Sequence, residues 1–149
     1  MTEVRFYHLQ KQTLDQALPL ILEKVYSTGK NALVKMLDDK EVIRMNDHLW
    51  AYKPASFIPH GCPKTGNAKH QPIWLTADND NPNNAETLIL TQGRTEETID
   101  QFGLVCEMLD GRNDTAITEA RARWKEYKDK GFSVTYWFQS ESGKWEKKA

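Results

Sequence analysis

The strongest chemistry in the sequence lies between Asp114 and Lys130. There Arg121, Trp124, Lys125 and Lys128 fall at i, i+3, i+4 and i+7, so a helix would place all four on one face. A guanidinium grips a carboxylate through two parallel hydrogen bonds, and an indole packs an apolar side chain. Together they could hold an acidic peptide. The same pairing of cations with an aromatic ring could hold phosphate and stacked bases. From Arg112 to Lys130 there are six basic and four acidic residues, a local charge of +2 within a chain of net charge -1. On spacing alone, a solvated amphipathic helix with Trp124 turned into the core and its cations in water is the simpler account.

A second stretch, Leu49 to Gly61, places Trp50, Tyr52, Phe57 and Ile58 beside Pro54 and Pro59. Four large apolar residues in a proline-rich loop either fold back over a sheet edge or form an exposed docking patch. The same loop holds His60, Cys62 and His70. Their spacing matches no standard zinc pattern, and no fourth ligand or orienting group for a nucleophile is visible. They read as ordinary loop residues. Asp38 and Asp39 read as a helix start, and Asp78 and Asp80 as part of an Asn-rich turn. No glycine follows the first strand, and no G-x-x-x-x-G-K-[ST] occurs, so the phosphate cradle of a nucleotide-binding protein is missing. No catalytic, cofactor-binding or metal-binding residues are expected.

The elements that position these residues follow from periodicity. Val4 to His8 reads as a strand. Thr13 opens a helix whose face is Leu14, Leu18, Ile21, Leu22 and Val25, with Gly29 as its end; Pro19 inside it removes a hydrogen bond and threatens a kink. Asn31 to Met36 reads as a strand, and Asp38 or Asp39 to Trp50 as a helix. A loop from Tyr52 to Gln71 follows, then strands at Pro72 to Thr76 and Glu86 to Leu90. Glu96 to Leu109 reads as a helix through Ile99, Phe102, Val105, Cys106 and Leu109. Asp114 or Thr115 caps the last helix, which Gly131 ends, and Phe132 to Phe138 is a final strand. This order predicts an α/β fold of three layers, with a mostly parallel central sheet flanked by helices.

The 149 residues suit one domain, taken as 1–140 with a polar, fraying tail over 141–149. Near-neutral charge gives no general affinity for nucleic acid. No apolar run approaches the ~18 residues of a membrane helix. The first residues, MTEVRFYHLQ, lack a signal-like apolar core, and two cysteines make no disulfide framework. A cytoplasmic domain without a membrane partner is expected.

Four blocks resemble the chi subunit of the bacterial DNA polymerase III holoenzyme. They are F-Y-x-L at Phe6 to Leu9, G-K-x-x-L-[IV] at Gly29 to Val34, L-W-A-x-x-P-A-S-F-[VI]-P-H at Leu49 to His60, and A-R-x-R-[YW]-K-x-Y-[RK]-x-x-G-F at Ala120 to Phe132. The resemblance implies a Rossmann-like topology that binds no nucleotide, and a non-catalytic replication subunit without cofactor. Such a subunit links the clamp-loader complex, through the psi subunit, to the single-stranded DNA-binding protein, and so reaches DNA indirectly. The acidic C-terminal tail of that protein would lie on Arg121, Trp124, Lys125 and Lys128, with Trp124 where a tyrosine is common and Ile117 where a lysine can stand. The psi-docking aromatics would be Trp50 and Phe57. The competing reading is a module that binds single-stranded nucleic acid directly.

Overall fold

Seven strands and three helices make up the fold in the computed structural model, which describes residues 2–51, 59–140, 142 and 144–148. The first strand, β1 (Glu3–Leu9), leads through Thr13 into α1 (Leu14–Ser27). Thr13 and Gln16 cap one another's backbone reciprocally, which satisfies two of the donors a helix start leaves open. The helix runs on through Pro19, and Gly29 follows its end at φ 78°, a conformation that costs glycine little. The next elements are β2 (Ala32–Lys35) and α2 (Asp39–Ala51), whose start is capped by Asp38 through Glu41 N–H at 2.9 Å.

After a loop come β3 (Ile73–Thr76), β4 (Thr87–Leu90) and β5 (Leu104–Asp110). The strand β5 corrects the helix expected over Glu96 to Leu109. Only one short 3-10 turn, Ile99–Gln101, occupies that stretch, and the chain then extends. Between β4 and β1, β5 is buried on both faces, and such a strand shows no alternation. Its continuous apolar run imitated helical spacing. The last helix, α3 (Asp114–Asp129), is capped by Asn113, one residue before the expected cap. Then β6 (Ser133–Gln139) and β7 (Trp145–Lys147) complete the chain.

The sheet order is β3-β2-β4-β5-β1-β6-β7, parallel except for the β6–β7 pair. The three-layer α/β architecture is therefore as expected. The tail after Ser140 does more than fray: Trp145–Lys147 pairs with β6, and Trp145 sets its ring edge-on against Tyr7 at 5.0 Å. An amphipathic end such as WEK gains both ladder hydrogen bonds and aromatic burial there.

Two cores line the two faces of the sheet. One lies beneath α1 and α2 and includes Leu18, Leu22, Val34, Met45 and Ile89; Tyr7 and Trp137 stack within it. The other lies beneath α3 and includes Phe6, Leu88, Val105, Ala120 and Tyr127. Alternation in β1 thus sends Phe6 and His8 toward α3, and Tyr7 and Leu9 away from it. Lys35, at the end of β2, is fully buried; its ammonium bonds Asn79 Oδ1 at 2.9 Å and pairs with Glu96. No helix is long and apolar enough to cross a membrane, among the described residues.

Candidate site on the third helix

The register of β1 against β6 builds an aromatic ladder. Phe6 lies opposite Tyr136 and His8 opposite Phe138. The rings of the first pair stack at 5.9 Å, and those of the second at 4.3 Å. Trp124 reaches down from α3 and meets both Phe6 and Tyr136 edge-on, at 5.8 and 5.7 Å. Such edge-to-face pairs favour a defined ring geometry beyond mere burial. Trp124 is only half-buried, because its outer face borders a cleft.

That cleft has a volume of about 520 Å³ and is lined by His8, Gln10, Gly111, Ile117, Arg121, Trp124, Tyr136 and Phe138. Four of these are apolar or aromatic walls, and none is acidic. Arg121 stands exposed at the rim. Among the described residues no ion pair forms at Arg121, Lys125 or Lys128, whereas Arg5, Arg44, Arg123 and Lys130 are each held by a carboxylate. The Lys128 ammonium lies 4.9 Å over the Trp124 ring, a cation–π arrangement that orients both. Lys125 is exposed and outside the cleft lining.

Of the four residues singled out on this helix, the structure brings Arg121 and Trp124 into one cleft and leaves Lys125 and Lys128 beside it. The indole of Trp124 meets Phe6 and Tyr136 in the core and also lines the cleft. His8, Gln10, Gly111, Tyr136 and Phe138 were missed by sequence reasoning. Their signal was the alternation F-x-H in β1 and Y-x-F in β6, which acquires meaning only once the two strands are paired in register.

His8 is buried in the floor of the cleft, and its Nδ1 shares a hydrogen bond with the Tyr136 hydroxyl at 3.0 Å. Burial, and then the charge of Arg121, hold the imidazole below its ordinary pKa, against the opposing influence of Asp110 and a backbone hydrogen bond at Gly111. Burial also pushes the Tyr136 phenol up. Gly111 is required here by close approach: a Cβ on it would lie 2.2 Å from His8 Cδ2 and Nε2, and 2.6 Å from the Leu9 carbonyl oxygen.

A larger crevice of about 670 Å³ opens at the carboxyl ends of β1, β4 and β5, where open α/β sheets hold ligands. Its basic side chains are already engaged. Arg44 grips Asp15 through two bonds of 2.6 and 3.0 Å, and Arg123 bonds Glu107 at 2.8 Å. Arg112 donates to the carbonyls of Gln10 and Lys11, and Arg94 to those of Met36 and Leu37. The smaller cleft, with its unpaired guanidinium, is the better candidate.

On α2, which packs on the other core from α3, Trp50 is 48% exposed at the helix end, and its ring lies 4.3 Å from that of His60. Phe57, its expected companion, lies outside the described residues. His60 is buried and donates through Nε2 to the Asn46 carbonyl at 3.1 Å. Cys62 sits in the core, while His70 is exposed on a short 3-10 turn. Among the described residues, no group of three or more His, Cys, Asp or Glu could hold a metal ion.

The family model described as "DNA polymerase III chi subunit, HolC" matches residues 1–135. A Rickettsia prowazekii (strain Madrid E) protein named "Probable DNA polymerase III subunit chi" is 30% identical over 90 residues, covering 60% of this chain and 54% of that relative. The chain thus matches about half the length of that protein. "DNA polymerase III subunit chi" of Escherichia coli (strain K12) is 24% identical over 142 residues, covering 90% of this chain and 96% of the relative. The chain belongs to the DNA polymerase III chi subunit family, a family of replication accessory subunits.

Proposed function

We propose that the chain is a non-catalytic replication adaptor that captures the acidic C-terminal tail of single-stranded DNA-binding protein in the α3 cleft. The observation that carries this reading is the unpaired Arg121 at the rim of an apolar, aromatic-walled cleft with no acidic lining residue. A peptide carboxylate complements the guanidinium bidentately. An apolar terminal side chain fits among Trp124, Ile117 and Phe138, where its burial supplies most of the affinity. Lys125 and Lys128, exposed beside the cleft, draw in the aspartates that precede the terminus and raise the rate of encounter.

The second half of the adaptor is a docking patch centred on Trp50 and Phe57, directed at the psi subunit or another clamp-loader protein. An exposed tryptophan at a helix end is the type of side chain that dominates protein interfaces. In this arrangement the chain meets DNA only through its partners.

Calorimetric titration of the purified chain with an acidic tail peptide and, separately, with a single-stranded oligonucleotide tests the reading. Saturable peptide binding without comparable oligonucleotide binding is expected. Tight oligonucleotide binding with no response to peptide would replace it with direct nucleic-acid recognition by the same helix.

A further inference from the structure

We propose that His8 forms the responsive floor of the α3 cleft: it takes up one proton from solvent when a carboxylate docks at Arg121, and Tyr136 then turns its hydroxyl from the imidazole to the ligand. This rests on the cleft being an acidic-peptide site. Nothing in the family match assigns a role to this histidine, and the geometry alone places it there. Its ring is clamped between Phe138 on one side and the bare Cα of Gly111 on another, so it cannot swing away. The ionisable groups facing it are Arg121 from α3, Tyr136 from β6 and Asp110 from the end of β5.

In the free protein the imidazole is neutral near pH 7, since burial and the neighbouring guanidinium both oppose a second positive charge. Its Nδ1 lone pair then accepts the Tyr136 O–H. An incoming carboxylate neutralises Arg121 and adds negative charge to the cleft, which favours the imidazolium. A proton from solvent forms the new Nδ1–H bond. That hydrogen is donated to the Tyr136 oxygen, and the tyrosine hydrogen is released to donate to the ligand. The bond that held this proton in hydronium or the buffer acid is the one broken, and no other covalent bond changes. Because the ligand raises the pKa of His8, linkage requires that binding tighten as pH falls from above the bound-state value toward the free-state value.

The test is calorimetry of the full chain with a synthetic peptide carrying several aspartates and a C-terminal phenylalanine. It is run at pH 6, 7 and 8 in buffers of different ionisation enthalpy, with parent and His8→Gln. For the parent, net proton uptake and an affinity gain of about three- to tenfold from pH 8 to pH 6 are expected. His8→Gln should bind without that uptake and with a flat profile. Parent binding without proton uptake, or equal uptake by His8→Gln, overturns the role of His8 while leaving peptide capture intact. Failure of the parent to bind at any pH overturns peptide capture and this inference with it. Should His8→Gln not fold, NMR titration of His8 in the parent decides. An upward shift of its titration on peptide binding supports the proposal, and an unchanged titration refutes it.

Discussion

The imidazole of His48 donates through Nε2 to the carbonyl oxygen of Asp15 at 2.7 Å. In an unbroken helix that oxygen would accept from the backbone N–H four residues on, but residue 19 is proline and has none. A side chain from α2 thus satisfies the acceptor that Pro19 orphans in α1. This explains how the helix passes its proline, and it ties the two helices together. His48→Ala should lower stability by about 0.5–1.5 kcal/mol, the net worth of a part-buried hydrogen bond. In a double-mutant cycle, Pro19→Ala should make His48→Ala cheaper, because the restored N–H takes the carbonyl. Strict additivity in urea unfolding would show that the two residues are not coupled.

Gly111→Ala should damage the cleft selectively. Its Cβ would meet both the His8 ring and the Leu9 carbonyl oxygen, and the latter belongs to a sheet strand that cannot give way. A loss of about 1–3 kcal/mol is expected from such overpacking. Peptide affinity should fall as well, since the floor of the cleft is displaced. Unchanged stability measured by denaturant unfolding would mean that the turn after β5 is free to relax.

The parallel α/β plan was legible in the sequence because helices α1 and α2 alternate with strands of clear pattern. The α3 face was legible because Arg121 and Trp124 are three residues apart on one element. What stayed hidden depends on long-range pairing. The central strand β5 carries Val105, Cys106, Met108 and Leu109 inward on both faces, so neither a period of two nor the context of its neighbours was visible locally. His8 meets Phe138 across 130 residues of chain through strand register alone. Trp145 looked like part of a polar tail because its partner, Tyr7, stands at the opposite terminus.

Acid should weaken the fold through identifiable carboxylates. Burial works to raise Glu96, but its bonds to Lys35 and Thr98 win and hold it below the ordinary range. Arg44 likewise holds down Asp15, and Arg44 with Gln92 holds down Glu41. For groups lowered on folding, the stabilisation is present above the unfolded pKa and is lost as pH falls through the folded value. Glu107, raised by burial, acts in the opposite sense and offsets part of that loss. The urea midpoint should therefore fall as pH drops from about 5 to below 4. Glu96→Gln, which leaves the buried Lys35 ammonium without its counter-ion, should cost about 3–5 kcal/mol near neutrality and flatten the acid response. An unaltered acid profile in this variant would exclude the Lys35–Glu96 pair as a source.

Trp50→Ala should leave the fold and peptide capture nearly unchanged, because the ring is half exposed and remote in sequence from the cleft. Association with a psi-type clamp-loader partner should weaken by about 2 kcal/mol or more, as expected of an aromatic hot spot. Phe57→Ala should act in the same direction. Pull-down and calorimetry with the two partners separate the sites; parallel loss of both affinities in a folded variant would show that they are one surface.

The central claim is that Arg121 captures the acidic tail. Calorimetric comparison of tail-peptide affinity for the parent, Arg121→Ala and Lys128→Ala tests it most directly. Arg121→Ala should cost about 1.5–3 kcal/mol, the range for losing a charge-assisted hydrogen bond at a partly exposed rim. Lys128→Ala should cost far less, with Lys125 intermediate, and binding by the parent should weaken as salt rises. Equal affinities of the parent and Arg121→Ala would contradict the assignment of the α3 cleft as the capture site.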